Sequence, residues 1–397
     1  MTSLQQIIAI TVMNMKGLRQ RFWQSSAAIL SIALVITVMV GFLSMADGFE
    51  KTVAGTGSDD VVIVLREGSL SELTSGFSLH QAKLLSTAPG VAKQNGEPLV
   101  SFELYVIVDL LKKSTGLSVN APMRGIEQTS LKLRDNVKII EGRMFEPGRN
   151  EIVVGHNARE QFAGLGLGEM ISFGNSEWQV VGVFDAGGSV FESELWADAK
   201  MVQAFFNRGT SYQSVRMKLA GPESLQEIKT FAEADPLLNV EIKTEADYYA
   251  AQSKPITTLI RYIGYPLAFI MALGALAGAL NTMYTSVLAR MGEITTLRAL
   301  GFGAFPSFVG ILTESIVIAI FGSAIGLVLA YVFFDGMLVS TLNGASFTQA
   351  VFEFSVSAKL ITHALALSVV IGFVGGFFPA LRAARMPIAD AFRITQT

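Results

Sequence analysis

The sequence predicts a membrane protein: four transmembrane helices, with an α/β two-lobed extracytoplasmic domain between the first helix and the second. Three observations predict it. Four apolar runs are each long enough to cross a bilayer. A polar stretch of ordinary globular composition, residues 50–254, separates the first run from the other three. The lysines and arginines outside that stretch gather at one set of run ends.

Over 397 residues the mean hydropathy is +0.46, a blend of two populations that describes neither. Charged residues make up 16%, against about a quarter in soluble domains. A net charge of −3 excludes a generally basic nucleic-acid binder, so no nucleic acid is expected as a partner. The chain has no cysteine, which excludes disulfides, thiolate metal sites and thiol nucleophiles.

In residues 1–26, Leu4, Ile7, Ile8, Val12 and Met15 recur at helical spacing, which predicts an amphipathic helix along the inner membrane surface. A helix rises ~1.5 Å per residue and the hydrocarbon core is ~30 Å thick, so about 20 apolar residues suffice to cross. Residues 27–49 hold the first run, 27–45, without a charge. Ser44-Met45-Ala46 resembles a signal-peptide cleavage site. Signal h-regions, however, run about 7–15 residues behind a short basic start. The longer run here favours an uncleaved anchor.

Within residues 50–254 the β-branched run 60–65 reads as a strand. Residues 151–184 read as a strand, a short helix, a glycine turn and two strands, 170–173 and 178–184, joined at Gly174-Asn175 by a hairpin that needs positive φ. Strand 214–219, helix 223–234 and strand 240–244 complete a β-α-β unit. Two small α/β lobes fit these signals better than one large sheet. From Glu245 helical character runs on into the second span, 255–289, where Pro255 and Pro266 are expected to kink or break it. Segment 290–306, span 307–334, loop 335–359, span 360–381 and tail 382–397 follow.

Orientation follows from the basic residues near the span ends. Lys16, Arg19, Arg21, Arg290, Arg298, Arg382, Arg385 and Arg393 all fall on one side, against only Glu293 and Asp390. The opposite side has the acidic large domain and a loop carrying Asp335, Glu353 and Lys359. Both termini are therefore expected in the cytoplasm, with residues 50–254 exported.

Helices in lipid associate through small residues. Gly274 and Gly278, Gly322 and Gly326, and Gly372 and Gly376 give small-xxx-small spacing in spans two, three and four, which predicts a compact bundle or a dimer interface. Glu314 is the carboxylate well inside an apolar run, close enough to the cytoplasmic end to act as a structural anchor rather than a proton relay. His363 reads as interfacial.

The catalytic inventory is thin. His80 and His156 have no metal-ligand spacing, and no serine sits in G-x-S-x-G. Glu192 and Glu194 would share one face of an exposed acidic strand. Gly164, Gly166 and Gly168 follow a helix rather than open one, which predicts a turn, not a phosphate loop. The chain has no G-x-x-x-x-G-K-[ST], so any nucleotide is expected on another polypeptide, and no cofactor, metal or catalytic residue is expected here.

Residues 290–302 read RMGEITTLRALGF. A short charged segment between two spans on the cytoplasmic side suits the transmission of force from a soluble partner. It resembles the coupling segment of the FtsX-like permeases, the MacB-type (type VII) ABC transporter subunits, whose pattern is approximately R-x-x-E-I-x-x-L-R-A-L-G. Arg290, Glu293, Ile294, Leu297, Arg298, Ala299, Leu300 and Gly301 fit it, and Glu314 stands where that family carries a glutamate in the next span. Pro379, Ala380, Ala383, Ala384, Pro387, Ala391 and Arg393 resemble the family's usual ending. The stretch from Glu141-Gly142-Arg143 through Val183 resembles its periplasmic core domain, whose lobes are called porter and sabre.

The resemblance covers the whole chain and implies a mechanism. Two permeases pair, as a homodimer or heterodimer, in the inner membrane. ABC ATPase subunits carrying ATP and Mg dock on the coupling segments. Their closure moves the exported domains and drives export or extraction of a substrate by mechanotransmission, in some members with a periplasmic adaptor and an outer-membrane duct. MacB carries its ATPase at its own N-terminus, whereas the two dozen residues before the first span here resemble the split arrangement. Sibling functions implied are LolCDE-like lipoprotein release, to which residues 45–50 are similar, and FtsX-like regulation of a periplasmic hydrolase.

Overall fold

The computed structural model describes residues 2–18, 22–342 and 348–385. Arg19, Arg21, Pro387, Asp390, Ala391 and Arg393, cited above, lie outside the described residues. In chain order the helices are α1 (Ser3–Leu18), α2 (Phe22–Ala54), α3 (Leu79–Leu85), α4 (His156–Gln161) and α5 (Ala199–Phe205). They continue with α6 (Ser224–Ala234), α7 (Glu245–Ala289), α8 (Met291–Ala299), α9 (Ala304–Phe334) and α10 (Ala358–Arg385). The strands are β1 (Val61–Arg66), β2 (Lys93–Gln94), β3 (Glu97–Pro98), β4 (Val100–Leu111), β5 (Ser118–Ile126), β6 (Lys138–Gly142) and β7 (Glu151–Gly155). After them come β8 (Met170–Phe173), β9 (Ser176–Asp185), β10 (Leu195–Asp198), β11 (Ser214–Lys218), β12 (Val240–Thr244), β13 (Leu338–Leu342) and β14 (Gln349–Glu353).

The chain divides into a helical unit (Met1–Asp47, Thr258–Met337, Phe354–Thr397) and an α/β unit (Gly48–Thr257, Leu338–Glu353). Among the described residues four helices, α2, α7, α9 and α10, are long and apolar enough to cross a membrane. The expected break at Pro255 and Pro266 does not occur, and α7 is one 45-residue helix. Each proline removes a single backbone hydrogen bond, which membrane helices tolerate when hydroxyls and neighbours re-satisfy the freed groups.

Two of the three glycine pairs are used inside the helical unit. A Cβ on Gly326 would stand 2.5 Å from the Ala33 carbonyl oxygen, and one on Gly322 2.9 Å from that of Ile29, so α9 lies close on α2. A Cβ on Gly372 or Gly376 would stand 2.8 Å from Ala319 Cβ or 2.5 Å from Ser315 Cβ, so α10 lies close on α9. Ser315 Oγ donates to the Gly372 carbonyl at 2.7 Å. The third pair differs: Gly278 makes an ordinary contact with Ser31, and among the described residues nothing lies within 4 Å of a Cβ on Gly274.

The expectation that two small α/β lobes fit better than one large sheet is corrected: the strands join in one large sheet. One ten-stranded path runs β12-β1-β11-β4-β5-β10-β7-β9-β6, with β8 beside β9. The join is β4, a strand absent from the sequence reading. Its first residues, Val100 to Glu103, pair with β11, while Leu104 to Leu111 pair with β5. Twelve residues span both ladders, so neither sheet ends there. The hairpin at Gly174-Asn175 forms as expected, with Gly174 at φ +55. The glycines after α4 form turns, Gly164 at φ +78 and Gly168 at φ +84. Alternate residues Val62, Val64, Leu104, Val106, Met123, Val154, Val215 and Met217 face one apolar core with Leu85, Val202 and Ile228 of α3, α5 and α6. β13 and β14 form a hairpin that belongs to this unit. Its Thr348 and Ser340 hydroxyls meet Tyr105 Oη (3.1 Å) and Lys112 Nζ (2.6 Å), and Phe352 packs edge-on against Phe49.

Candidate functional site

Helix α8 is the segment singled out by its sequence. Its end is fixed by backbone chemistry. Gly301 takes φ +95, its N–H donates to the Arg298 carbonyl, and the Phe302 N–H donates to the Leu297 carbonyl. This is the Schellman closure, which calls for glycine at the left-handed position. One side of α8, Met291, Ile294 and Thr295, is buried, and Met291 and Ile294 pack with Val287, Ile311 and Ala383. The opposite side exposes Glu293, Thr296, Ala299 and Leu300, with Leu297 and Arg298 half-buried. Leu300 is 73% exposed, unusual for a leucine beside a packed helix.

The residues of the motif thus separate. Arg290 is buried and forms an ion pair with Glu314, equally buried, so two motif positions far apart in sequence make one feature. Ile294 anchors, Gly301 closes the helix, and Glu293 and Leu300 face outward.

A second cluster lies in the α/β unit, and sequence reading missed it. On the sheet face opposite the apolar core, β4 carries Ser101, Glu103 and Tyr105, β5 carries Arg124, β10 carries Trp196, and β11 carries Ser214 and Arg216. Arg124 grips Glu194 through Nε and Nη2, both at 2.7 Å, and reaches Glu72 at 2.7 Å and Glu103 at 3.1 Å. Arg216 binds Glu245 at 2.5 Å, Glu103 at 2.5 Å and Glu72 at 2.8 Å. Arg134 binds both oxygens of Glu103 at 2.8 Å. Tyr248 and Tyr249 at the start of α7 accept from the Glu72 N–H and from Arg216 Nη2. All of these residues are buried.

Burial alone would push the Glu72 carboxyl up, but Arg124 and Arg216 outweigh it and hold it below the ordinary range. Burial likewise opposes ionisation of Glu103, and Arg134, Arg216 and Arg124 override it. The carboxylates of Glu72, Glu103 and Glu194 are all committed to arginines. The arrangement fastens the first residues of α7 to three strands. Glu192 and Glu194, expected on an exposed acidic strand, are both buried. Glu194 binds Arg124 and Trp196 Nε1, and Glu192 accepts from the Ala186 and Gly188 N–H groups. The available signal was period-two alternation of charged with apolar residues, which ordinarily marks a solvated face.

Residues 25–234 match the family described as MacB-like periplasmic core domain, and residues 266–388 match the FtsX-like permease C-terminal family. The pyoverdine export ATP-binding/permease protein PvdT of Pseudomonas entomophila (strain L48) is 24% identical over 92% of this chain and 56% of its own length. The macrolide export ATP-binding/permease protein MacB of Chromobacterium violaceum is 26% identical over 69% of this chain and 44% of its own. The chain therefore spans about half the length of these relatives. The periplasmic region of MacB from Actinobacillus actinomycetemcomitans, a solved structure, is 16% identical with a TM-score of 0.37, covering 52% of this chain and 95% of that one. With one match covering more than half of the residues and a second most of the remainder, the chain belongs to the MacB-like, FtsX-like family of ABC transporter permeases.

Proposed function

We propose that this permease couples ATP hydrolysis on a separate ATPase subunit to movement of its α/β domain, driving export or extraction of a substrate by mechanotransmission. In this reading α2, α7, α9 and α10 cross the inner membrane, both termini and α8 face the cytoplasm, and the α/β unit faces outward. ATP and Mg bind the partner ATPase. A second permease completes the complex, and a periplasmic adaptor with an outer-membrane duct is the further partner class for an exporter.

The observation that carries the reading is the two-sidedness of α8. One side is locked by Ile294 and the Arg290–Glu314 pair, while the other presents Glu293, Thr296, Ala299 and Leu300. An exposed leucine and a carboxylate two turns apart, on a helix held along its other side, suit a docking partner that must push.

Leu300→Glu and Glu293→Arg are each expected to lower recovery of the co-purified ATPase at least ~10-fold, as for interface hot spots, with permease yield unchanged. The chain has no cysteine, so Leu300→Cys gives a single labelling site. Failure of the unmodified permease to recover any ATPase, or labelling of that cysteine from outside the cytoplasm, overturns the proposal.

A further inference from the structure

We infer that α1 is a brace for the coupling helix, with Gln6, Ile10 and Asn14 as its positioning residues; this deepens, and rests on, the docking role proposed for α8. These three stand four apart, on one stripe of α1. Gln6 Oε1 accepts the Gly303 N–H at 3.1 Å, and Gly303 is the residue that starts α9. Ile10, 4% exposed, enters a notch at Gly310, where a Cβ would stand 2.6 Å from Ile10 Cγ2 and 3.3 Å from Asn14 Nδ2. A β-branched side chain in a helix keeps one strongly preferred rotamer, so Ile10 has little freedom to move aside.

Asn14, 7% exposed, closes a small cavity with Ile10 and Met13. Its other walls are Arg290, Glu293, Ile294 and Leu297 of the coupling segment and Ser307 and Ile311 of α9. Asn14 Nδ2 and Arg290 Nε are both buried without an acceptor among the described residues. Plain packing would favour apolar side chains at such a junction. Here α1 instead places an amide in the same cavity as the arginine that pairs with Glu314. Its opposite stripe, Leu4, Ile8 and Val12, is exposed and apolar, which suits the membrane interface expected for this helix. A helix seated on the leaflet, locked to α9 and walling one cavity with the coupling segment, would resist tilting of α8 under load.

The test uses the full chain in lipid nanodiscs, first alone and then with its ATPase. Gly310→Ala expels Ile10; Gly310→Ala combined with Ile10→Ala restores the space. Asn14→Leu removes the amide; Gln6→Leu removes the acceptor, which Gln6→Glu keeps. On the chain alone, amides of α8 should exchange roughly 10-fold faster in Gly310→Ala, Asn14→Leu and Gln6→Leu, the scale of a local opening. Exchange should return toward the unmodified rate in the double variant and in Gln6→Glu, while β4 amides stay unchanged in all. With the ATPase present, the three impaired variants should still co-purify it but show at most about half the stimulated turnover. Unchanged α8 exchange in all three overturns the brace whatever the ATPase does. Faster exchange with full turnover in an assembled complex overturns the positioning role. If no ATPase binds the unmodified chain, the docking reading fails and the positioning role fails with it, while the exchange result still decides whether α1 restrains α8.

Discussion

Arg124 donates to three carboxylates within one buried face, and Glu103 in turn accepts from three arginines. Taking such charges out of water is costly, so their mutual satisfaction matters more than any single pair. Removing one partner of a buried pair costs about 3–5 kcal/mol, because the remaining charge is stranded. Arg124→Gln is expected to destabilise the α/β unit by that amount in urea unfolding, followed by the fluorescence of Trp196, whose Nε1 donates to Glu194. Arg149, 63% exposed beside Glu146, is the contrast, with about 0–1 kcal/mol expected for Arg149→Gln.

Acidification has a definite sign at the same residues. Glu72 and Glu103 have folded-state values below those of free carboxylates, and Glu151 is lowered to about 2, chiefly by the Arg143 hydrogen bond. Such groups contribute fully above the unfolded value, about 4.3, and lose that contribution as pH falls toward the folded value. The urea midpoint should therefore hold from about pH 7 to 5 and fall steeply from about 4 to 2. A midpoint that rises on acidification would refute this. None of it was legible in the sequence, since a glutamate on an alternating strand looks alike whether it meets water or an arginine from a distant strand.

At the level of elements, glycines with the same spacing do different work. Gly326 has the Ala33 carbonyl against it, whereas Gly274 has open space. Gly326→Ala should cost about 1–3 kcal/mol by overpacking, and Gly274→Ala should be neutral or stabilising by up to ~1 kcal/mol. Thermal unfolding of the two variants in one detergent compares them directly. Equal effects would mean that the α2–α9 approach is looser than described. The apolar runs made the long helices legible, because length and hydropathy are local properties. β4 escaped because Leu104 to Leu110 read as one mostly apolar run, and only its pairing with β11 and β5 shows where it belongs. Gly301 was legible as a motif residue, but its role as a helix closure was not, since φ is invisible in a residue name.

Over the whole molecule, the sequence correctly separated a polar α/β region from apolar helices, yet it took residues 335–359 as a mere outer loop. The structure assigns Leu338–Glu353 to the α/β unit, with Val351 and Phe352 fully buried there and Ser193 Oγ accepting the Val351 N–H at 2.9 Å. A soluble fragment of residues 48–257 should therefore bind more of an apolar fluorescent dye than the same fragment with residues 338–353 fused by a flexible linker. Equal dye binding would argue against a structural role for the hairpin.

The hairpin also makes this unit discontinuous in sequence: about 80 residues of the other unit are translated before its last piece is made. A unit assembled in this order cannot close its fold when residue 257 emerges. Until then Phe49 lacks its ring partner, Phe352. Truncations ahead of β13 would accordingly damage a region that lies well upstream of the stop codon.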